Sequence, residues 1–168
     1  MQLTGTDLRC ERGGRTVFRD VGFVLQSGEL MQLTGPNGSG KSSLLRLIAG
    51  LNEPGAGRLD LAGGQDELSI GQQAHYIAHQ EAVKAALTVA ENVGFWADFL
   101  GGDKRDEALA AFDLTRLSAY PADLLSAGQK RRLALARLVA VPRALWLLDE
   151  PTVATQLQVP SLITISIA

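Results

Sequence analysis

The chain has 168 residues and a formal net charge of −2, and 20% of its residues are charged. This length predicts one domain over residues 1–168 that is large enough to bury a core, and the lack of a basic excess argues against a nucleic-acid partner. Cys10 is the single cysteine, so no disulfide can form within the chain, which suits a reducing cytosol.

The N-terminal part of the chain predicts strands that lead to a glycine-rich loop. Residues 1–30 predict short strands with turns at 12–14 and 26–28. Residues 30–34 alternate apolar and polar side chains and predict the strand that enters the sequence GPNGSGKSS at 35–43. Apolar residues at helical spacing follow and predict a helix that ends near Gly50.

The glycine-rich loop fits the phosphate-binding pattern G-x-x-x-x-G-K-[ST]. Backbone N–H groups of such a loop wrap a polyphosphate, while the lysine brings a positive charge to its β- and γ-phosphates. The hydroxyl of the residue after the lysine is a predicted Mg²⁺ ligand. The predicted nucleotide-binding residues of the loop are Gly35, Pro36, Asn37, Gly38, Ser39, Gly40, Lys41, Ser42 and Ser43, with Ser42 also at the metal.

The middle of the chain predicts a strand followed by an inserted helical segment. Residues 59–80 predict short strands and a loop, with a strand over 75–78 that leads to Gln80. Helices are predicted over 88–100 and 106–117. These helices belong to a predicted helical subdomain inserted over residues 81–128.

The sequence LSAGQ at 125–129 predicts the start of a long helix that extends to Val141. Ser126 and Gln129 have the S-x-x-Q spacing of a capping box. The small residues between them, including Gly128, leave the N-terminal amides of the helix open to an anion.

The apolar run at 144–148 predicts a buried parallel strand that ends in two carboxylates. Ligands of open α/β sheets bind at the carboxyl ends of the strands. The run followed by two carboxylates also resembles the Walker B segment of P-loop ATPases, and this resemblance implies that Asp149 holds Mg²⁺ and that Glu150 polarises the attacking water as a general base.

The phosphate-binding loop and LSAGQ, in this order, resemble the ATP-binding cassette (ABC) ATPases over residues 1–154. The resemblance implies an α/β P-loop NTPase fold with an N-terminal antiparallel β subdomain and an inserted helical subdomain. It implies that ATP and Mg²⁺ are the cofactors, and that Gln80 senses the γ-phosphate and Mg²⁺. Ser126, Gly128 and Gln129 would contact the γ-phosphate bound by a second subunit, in a homodimer across the nucleotide sites. Arg12 aligns with the aromatic residue on which many cassettes stack the adenine, and a guanidinium plane can also stack on a purine.

Several stretches are most similar to the ATP-binding subunit of the bacterial haem exporter of cytochrome c maturation. They are LRCERGGRTVF, YIAHQ, LTVAENVGFW, LSAGQKRRLALARL and LWLLDEPTVA. This similarity implies a peripheral protein on the cytoplasmic face of the inner membrane, held there by an integral-membrane subunit. ATP turnover would drive haem export or release of the haem chaperone. Phe95, Trp96 and Phe99 would either fill the core or form part of the groove that receives the membrane subunit.

The tail TQLQVPSLITISIA at 155–168 departs from the family, which has an aspartate and a switch histidine after the second carboxylate. On this basis weak or absent ATP hydrolysis is expected, and a truncated nucleotide-binding cassette is one alternative. The tail is expected to add one strand or to form an aggregation-prone edge.

Three further alternatives concern the class of ATPase. An ABC ATPase for another substrate has the same motifs. A non-transport ABC ATPase usually has two cassettes or long insertions, and this chain has neither. A P-loop kinase or GTPase is disfavoured by LSAGQ and by the lack of an N-K-x-D motif.

Overall fold

The computed structural model of the protein describes residues 1–78 and 82–149, together with the backbone of Ile163–Ile167. The strands are β1 (Gln2–Arg12), β2 (Arg15–Gln26), β3 (Leu30–Leu33), β4 (Ala56–Ala62), β5 (Ala74–Ile77), β6 (Leu145–Asp149) and β7 (Ile163–Ile167). The α-helices are α1 (Lys41–Ile48), α2 (Val89–Leu100), α3 (Arg105–Ala111) and α4 (Ala127–Ala140). The chain divides into two compact units, Met1–Ala78 with Arg143–Ala168, and His79–Pro142. The assignment of residues 1–168 to one domain stays a prediction.

An antiparallel sheet with the order β2-β1-β4 forms the N-terminal part of the first unit. Both predicted turns, at 12–14 and 26–28, are confirmed. The prediction of short strands was wrong, because β1 and β2 run for 11 and 12 residues. Asp7 and Asp20 adopt positive φ values of 47° and 55° inside these strands, and the β1–β2 register shifts along the pair. Residues typical of turns therefore bend the strands at irregularities and do not end them.

The first unit also contains a parallel sheet with the order β3-β7-β6-β5. Every residue of β6 is buried, as its unbroken apolar run predicted. Of the two possibilities for the tail, the structure shows an added strand, and β7 pairs on both sides and so is not a sheet edge. Buried side chains of both sheets and α1 share one core, which contains Leu3, Leu8, Cys10, Leu25, Leu44, Leu45, Leu47, Ile48, Ala74, Leu145 and Leu147.

The second unit contains α2, α3 and α4. The helix predicted over 106–117 was wrong in length, since α3 ends at Ala111 and a separate 3₁₀ turn covers Thr115–Leu117. The N–H of Leu114 donates to the carbonyl of Leu109 at 2.8 Å, and Asp113 has a φ of 58°. These contacts form a Schellman motif in which an aspartate takes the left-handed position usual for glycine. None of the helices described is both long and apolar enough to cross a membrane.

The N-terminus of α2 carries a capping box that predicts a pH dependence of stability. The backbone N–H and the hydroxyl of Thr88 both donate to the Glu91 carboxylate. The N–H has the larger effect, and the two hydrogen bonds lower the pKa of Glu91 from its ordinary value of 4.5. Because folding lowers this pKa, the stabilisation is fully present above the unfolded-state pKa and is lost as the pH falls through the folded-state pKa.

We therefore expect the Tm advantage of the wild type over Glu91→Gln to shrink as the pH falls from about 6 to about 3, below the usual carboxyl range. The glutamine retains an acceptor oxygen but cannot titrate. A Thr88→Ala background removes the hydroxyl donor but keeps the backbone N–H, which has the larger effect on the pKa of Glu91, so the Tm difference between glutamate and glutamine should keep most of its pH dependence there. Thermal unfolding across this range checks both pairs, and a constant difference in the wild-type background would contradict the assignment.

Candidate nucleotide-binding site

The loop between β3 and α1 has the geometry of an anion cradle. Gly35, Gly38 and Gly40 have φ values of 143°, 82° and 97°, a region that side-chain-bearing residues rarely enter. Gly40 is the N-cap of α1, and no side chain caps this helix start. The first turn of α1 also contains no acidic residue. The helix N-terminus therefore presents its amides and its positive dipole end to an anion.

Gly40 lies against β2, and only glycine fits there. A Cβ on Gly40 would come within 2.9 Å of Val17 Cγ1 and 3.0 Å of Phe18 Cδ1. These two side chains form a wall beside the loop that sequence patterns did not identify. Its residues are separated from the loop in the sequence, so no local motif contains them.

Lys41, the predicted phosphate ligand, contacts the loop itself. Its Nζ donates to the carbonyl oxygens of Gly35 at 2.7 Å and Pro36 at 3.0 Å. The N–H of Ser39 also donates to Pro36 O, at 3.2 Å, which closes a turn in the loop. The ammonium group is thus held at the loop, where bound phosphates would replace carbonyl oxygens as its partners.

Asp149 ends β6 with 8% of its surface exposed. Strands β3, β5 and β6 run in the same direction, so Asp149 and the loop after β3 follow the same edge of the sheet. Within residues 1–78 and 82–149, no group of three His, Cys, Asp or Glu side chains could hold a metal. The Ser42 hydroxyl and the Asp149 carboxylate are nonetheless hard oxygen donors, and Mg²⁺ is usually held by few protein ligands together with phosphates and waters. These two residues fit that donor set.

The predicted capping box at LSAGQ is confirmed. The N–H of Gln129 donates to Ser126 Oγ at 3.3 Å, and the N–H of Ser126 donates to Gln129 Oε1 at 2.8 Å. A Cβ at Gly128 would meet no atom within 4 Å, so the helix start is open there. Contact of these residues with a nucleotide on a second subunit stays a prediction.

The remaining predicted site residues are less defined by the structure. Arg12 ends β1, is exposed, and lies opposite Arg15 across the hairpin turn, so its role at the adenine stays a prediction. Gln80 and Glu150 lie outside the described residues, and their roles also stay predictions.

Sequence patterns missed two buried amide side chains and the α2 cap. Gln73 and Asn92 are 8% and 2% exposed, and each organises a loop through hydrogen bonds. The spacing T-x-x-E from Thr88 to Glu91 was a signal for the cap. The amides had no such signal, because their partners are backbone carbonyl and N–H groups, which every residue type carries.

The fold and the loop define the chain as a P-loop nucleotide-binding protein. The sequence profile of the family described as ABC transporter matches residues 18–153. The chain belongs to this family, and it is an ATP-binding subunit of the ABC ATPase type. The ordinary P-loop kinases and GTPases are thereby excluded.

Two relatives and one solved structure show how far the similarity extends. Proteins called cytochrome c biogenesis ATP-binding export protein CcmA, from Nitrobacter winogradskyi and Bradyrhizobium diazoefficiens, are each 55% identical over 156 residues. Each alignment covers 92% of this chain and 78% of the relative. A structure of the ATP-binding subunit of an ABC transporter matches with a TM-score of 0.82 and 24% identity, over 99% of this chain and 79% of the other. The α/β P-loop fold is thereby confirmed, as is the close relation to the cytochrome c biogenesis subfamily.

Proposed function

We propose that this chain is the ATP-hydrolysing subunit of a haem exporter, and that ATP turnover drives haem export or release of the haem chaperone in cytochrome c maturation. The observation that carries the proposal is the 55% identity, over 92% of the chain, to proteins named for ATP-binding export in cytochrome c biogenesis. Identity of this extent favours this role over transport of another substrate and over a truncated cassette without activity.

The loop residues would bind the phosphates of ATP. Backbone amides at the start of α1 would donate to the phosphate oxygens, and Lys41 would exchange its loop carbonyls for them. Ser42 and Asp149 would hold Mg²⁺, which neutralises charge on the phosphates when bound. These groups stabilise charge without taking part in covalent chemistry.

Other residues would complete the reaction. Glu150 would accept the proton of the attacking water, and Gln80 would report the γ-phosphate. Arg12 would lie at the adenine. Ser126, Gly128 and Gln129 would contribute the second side of the nucleotide site in a homodimer.

An aromatic surface on α2 supports docking on an integral-membrane subunit at the cytoplasmic face of the inner membrane. Phe95, Trp96 and Phe99 form one cluster with ring centroids 5.2 to 6.2 Å apart. Phe99 is 71% exposed, so the alternative that these rings fill the core is wrong for this residue. Lys84 Nζ lies over the Phe95 ring, 4.2 Å from its centroid, and Arg137 Cζ lies over the Trp96 ring, 4.9 Å from its centroid, so the surface combines aromatic rings with two cations.

The experiment is co-expression with the membrane subunit of the haem exporter, in a strain that lacks its own ATP-binding subunit. We expect the two subunits to co-purify and haem-bearing c-type cytochromes to return. Recovery should fall about tenfold for Trp96→Ala and Phe99→Ala, because buried aromatic anchors dominate interface energies.

Tyr120→Ala is the matched control, since Tyr120 is another exposed aromatic residue of the second unit, 54% exposed. It should leave recovery unchanged. Equal recovery of all three variants would remove the α2 surface from the interface, whereas no co-purification of the wild type would contradict the proposed function.

A further inference from the structure

Strand β2 contains a β-bulge beside the phosphate-binding loop. The β1–β2 register pairs Glu11 with Thr16 and Cys10 with Phe18, so Val17 is an extra residue on β2. In such a bulge, two residues of one strand oppose a single residue of its partner. The alternation of side chains along β2 is therefore interrupted at Val17 and Phe18.

The bulge brings two consecutive side chains to the same side of β2. Val17 and Phe18 are both half-buried, whereas Thr16 and Arg19 on either side of them are exposed. A regular strand would direct residues 17 and 18 to opposite faces of the sheet. Both side chains instead pack against the core that the two sheets share with α1.

These two side chains meet at Gly40 of the phosphate-binding loop. The position that a Cβ would take on Gly40 lies 2.9 Å from Val17 Cγ1 and 3.0 Å from Phe18 Cδ1. Outside the loop and α1, the three atoms nearest to that position all belong to Val17 and Phe18. Gly40 therefore has no room to shift toward β2.

Gly40 is also the residue at which the loop becomes a helix. Its φ is 97°, and its carbonyl accepts a hydrogen bond from the N–H of Leu44 at 2.9 Å. No side-chain hydrogen bond caps α1 at Gly40, so no cap holds this residue in place. The contact with β2 therefore restricts Gly40, and the orientation of Gly40 sets the direction of the amides that begin α1.

We propose that Phe18 is a positioning residue for ATP binding. The bulge holds its ring against Gly40 and keeps the amides at the start of α1 in their anion-binding orientation before the nucleotide arrives. A site that is already oriented binds more tightly, because less binding free energy is spent on ordering it. This inference rests on the ATP-binding part of the proposed function, and it extends the site to a strand outside the loop.

The first test measures ATP affinity by calorimetry in the presence of Mg²⁺. For Phe18→Ala we expect the ATP Kd to rise about fivefold, as when the fraction of chains with a competent loop falls to about one fifth. Phe18→Leu should recover most of the affinity, because a large apolar side chain again fills the space beside Gly40. An unchanged Kd in Phe18→Ala would overturn the proposal.

Phe23→Ala is the matched control on the same strand. Phe23 is also half-buried and packs against the same core, but it lies against Gly5, where an added Cβ would come within 2.6 Å of Phe23 Cε1. This variant should show a similar fall in Tm and keep the wild-type Kd for ATP. Equal weakening of ATP binding in both alanine variants would overturn the proposal, since the effect would then follow from lower stability in general.

A second test uses the wild-type chain and hydrogen exchange. A non-hydrolysable ATP analogue should slow exchange at the amides of residues 16–18 as well as at the loop, and should have less effect on Phe23 and Val24. Protection confined to the loop would overturn the proposal even if Phe18→Ala failed to fold. A wild-type chain that does not bind ATP would contradict the proposed function itself.

Discussion

Replacing Lys41 by alanine should weaken ATP binding by well over tenfold. The Lys41 ammonium donates to two loop carbonyls, and it would transfer these donations to the phosphate oxygens. Hydrogen bonds to charged groups contribute about 1.5 to 3 kcal/mol each. When Lys41 donates to the phosphates instead, the carbonyl groups of Gly35 and Pro36 lose a hydrogen-bond partner. Both residues are exposed, so water replaces that partner, and the loss offsets little of the free energy of ATP binding.

Calorimetry with ATP and Mg²⁺ measures the change in Kd. Arg58→Ala is the control, because it also removes one cation from the first unit, and Arg58 is exposed in β4. Its Kd should match the wild type. Equal ATP affinity of Lys41→Ala and Arg58→Ala would show that the loop does not bind the phosphates as we propose.

Replacing Gly57 by alanine should lower the free energy of unfolding by about 3 kcal/mol or more, in the range of overpacked and strained sites. Gly57 in β4 has a φ of 82°, and an added Cβ would lie 2.4 Å from the carbonyl oxygens of both Thr6 and Asp7. These oxygens belong to the backbone of β1, where the β1–β4 register shifts between Thr6 and Arg9. Relief of the clash therefore requires two paired strands to separate.

Gly13→Ala separates the two causes of this loss. Gly13 also has a positive φ, 56°, but an added Cβ would meet nothing within 4 Å. It should show only the left-handed backbone strain, about 1 to 2 kcal/mol. Urea unfolding of both variants measures the difference, and equal losses would indicate that the close approach of β4 and β1 relaxes without effect on stability.

Features determined by neighbouring residues could be predicted from the sequence. The phosphate-binding loop, the cap from Ser126 to Gln129 and the buried strand β6 each depend on a short pattern with one physical cause. The order of the phosphate-binding loop and LSAGQ along the chain led to the resemblance to ABC ATPases, and the fold that this resemblance implied is confirmed.

Features determined by contacts between distant segments could not be predicted in this way. Asp7, Asp20 and Asp113 all occur at positive φ, but the first two bend strands and the third ends a helix. Composition cannot separate these outcomes, because strand pairing and the burial of Leu114 decide them. The wall that Val17 forms beside Gly40 likewise depends on how β2 packs against the loop.

The position of the second unit in the chain also bears on the order of folding. Strands β5 and β6 pair directly, yet the whole of His79–Pro142 separates them in the sequence. The entropy cost of pairing β5 with β6 rises with the length of the flexible chain between them. If residues 79–142 have already folded, less of this connection is flexible, and the entropy cost of pairing is lower. Substitutions that unfold α2, α3 or α4 should therefore slow the assembly of the parallel sheet, although they lie in another unit. Newly synthesised chains would then leave the edge of β5 unpaired for longer, open to association with other chains.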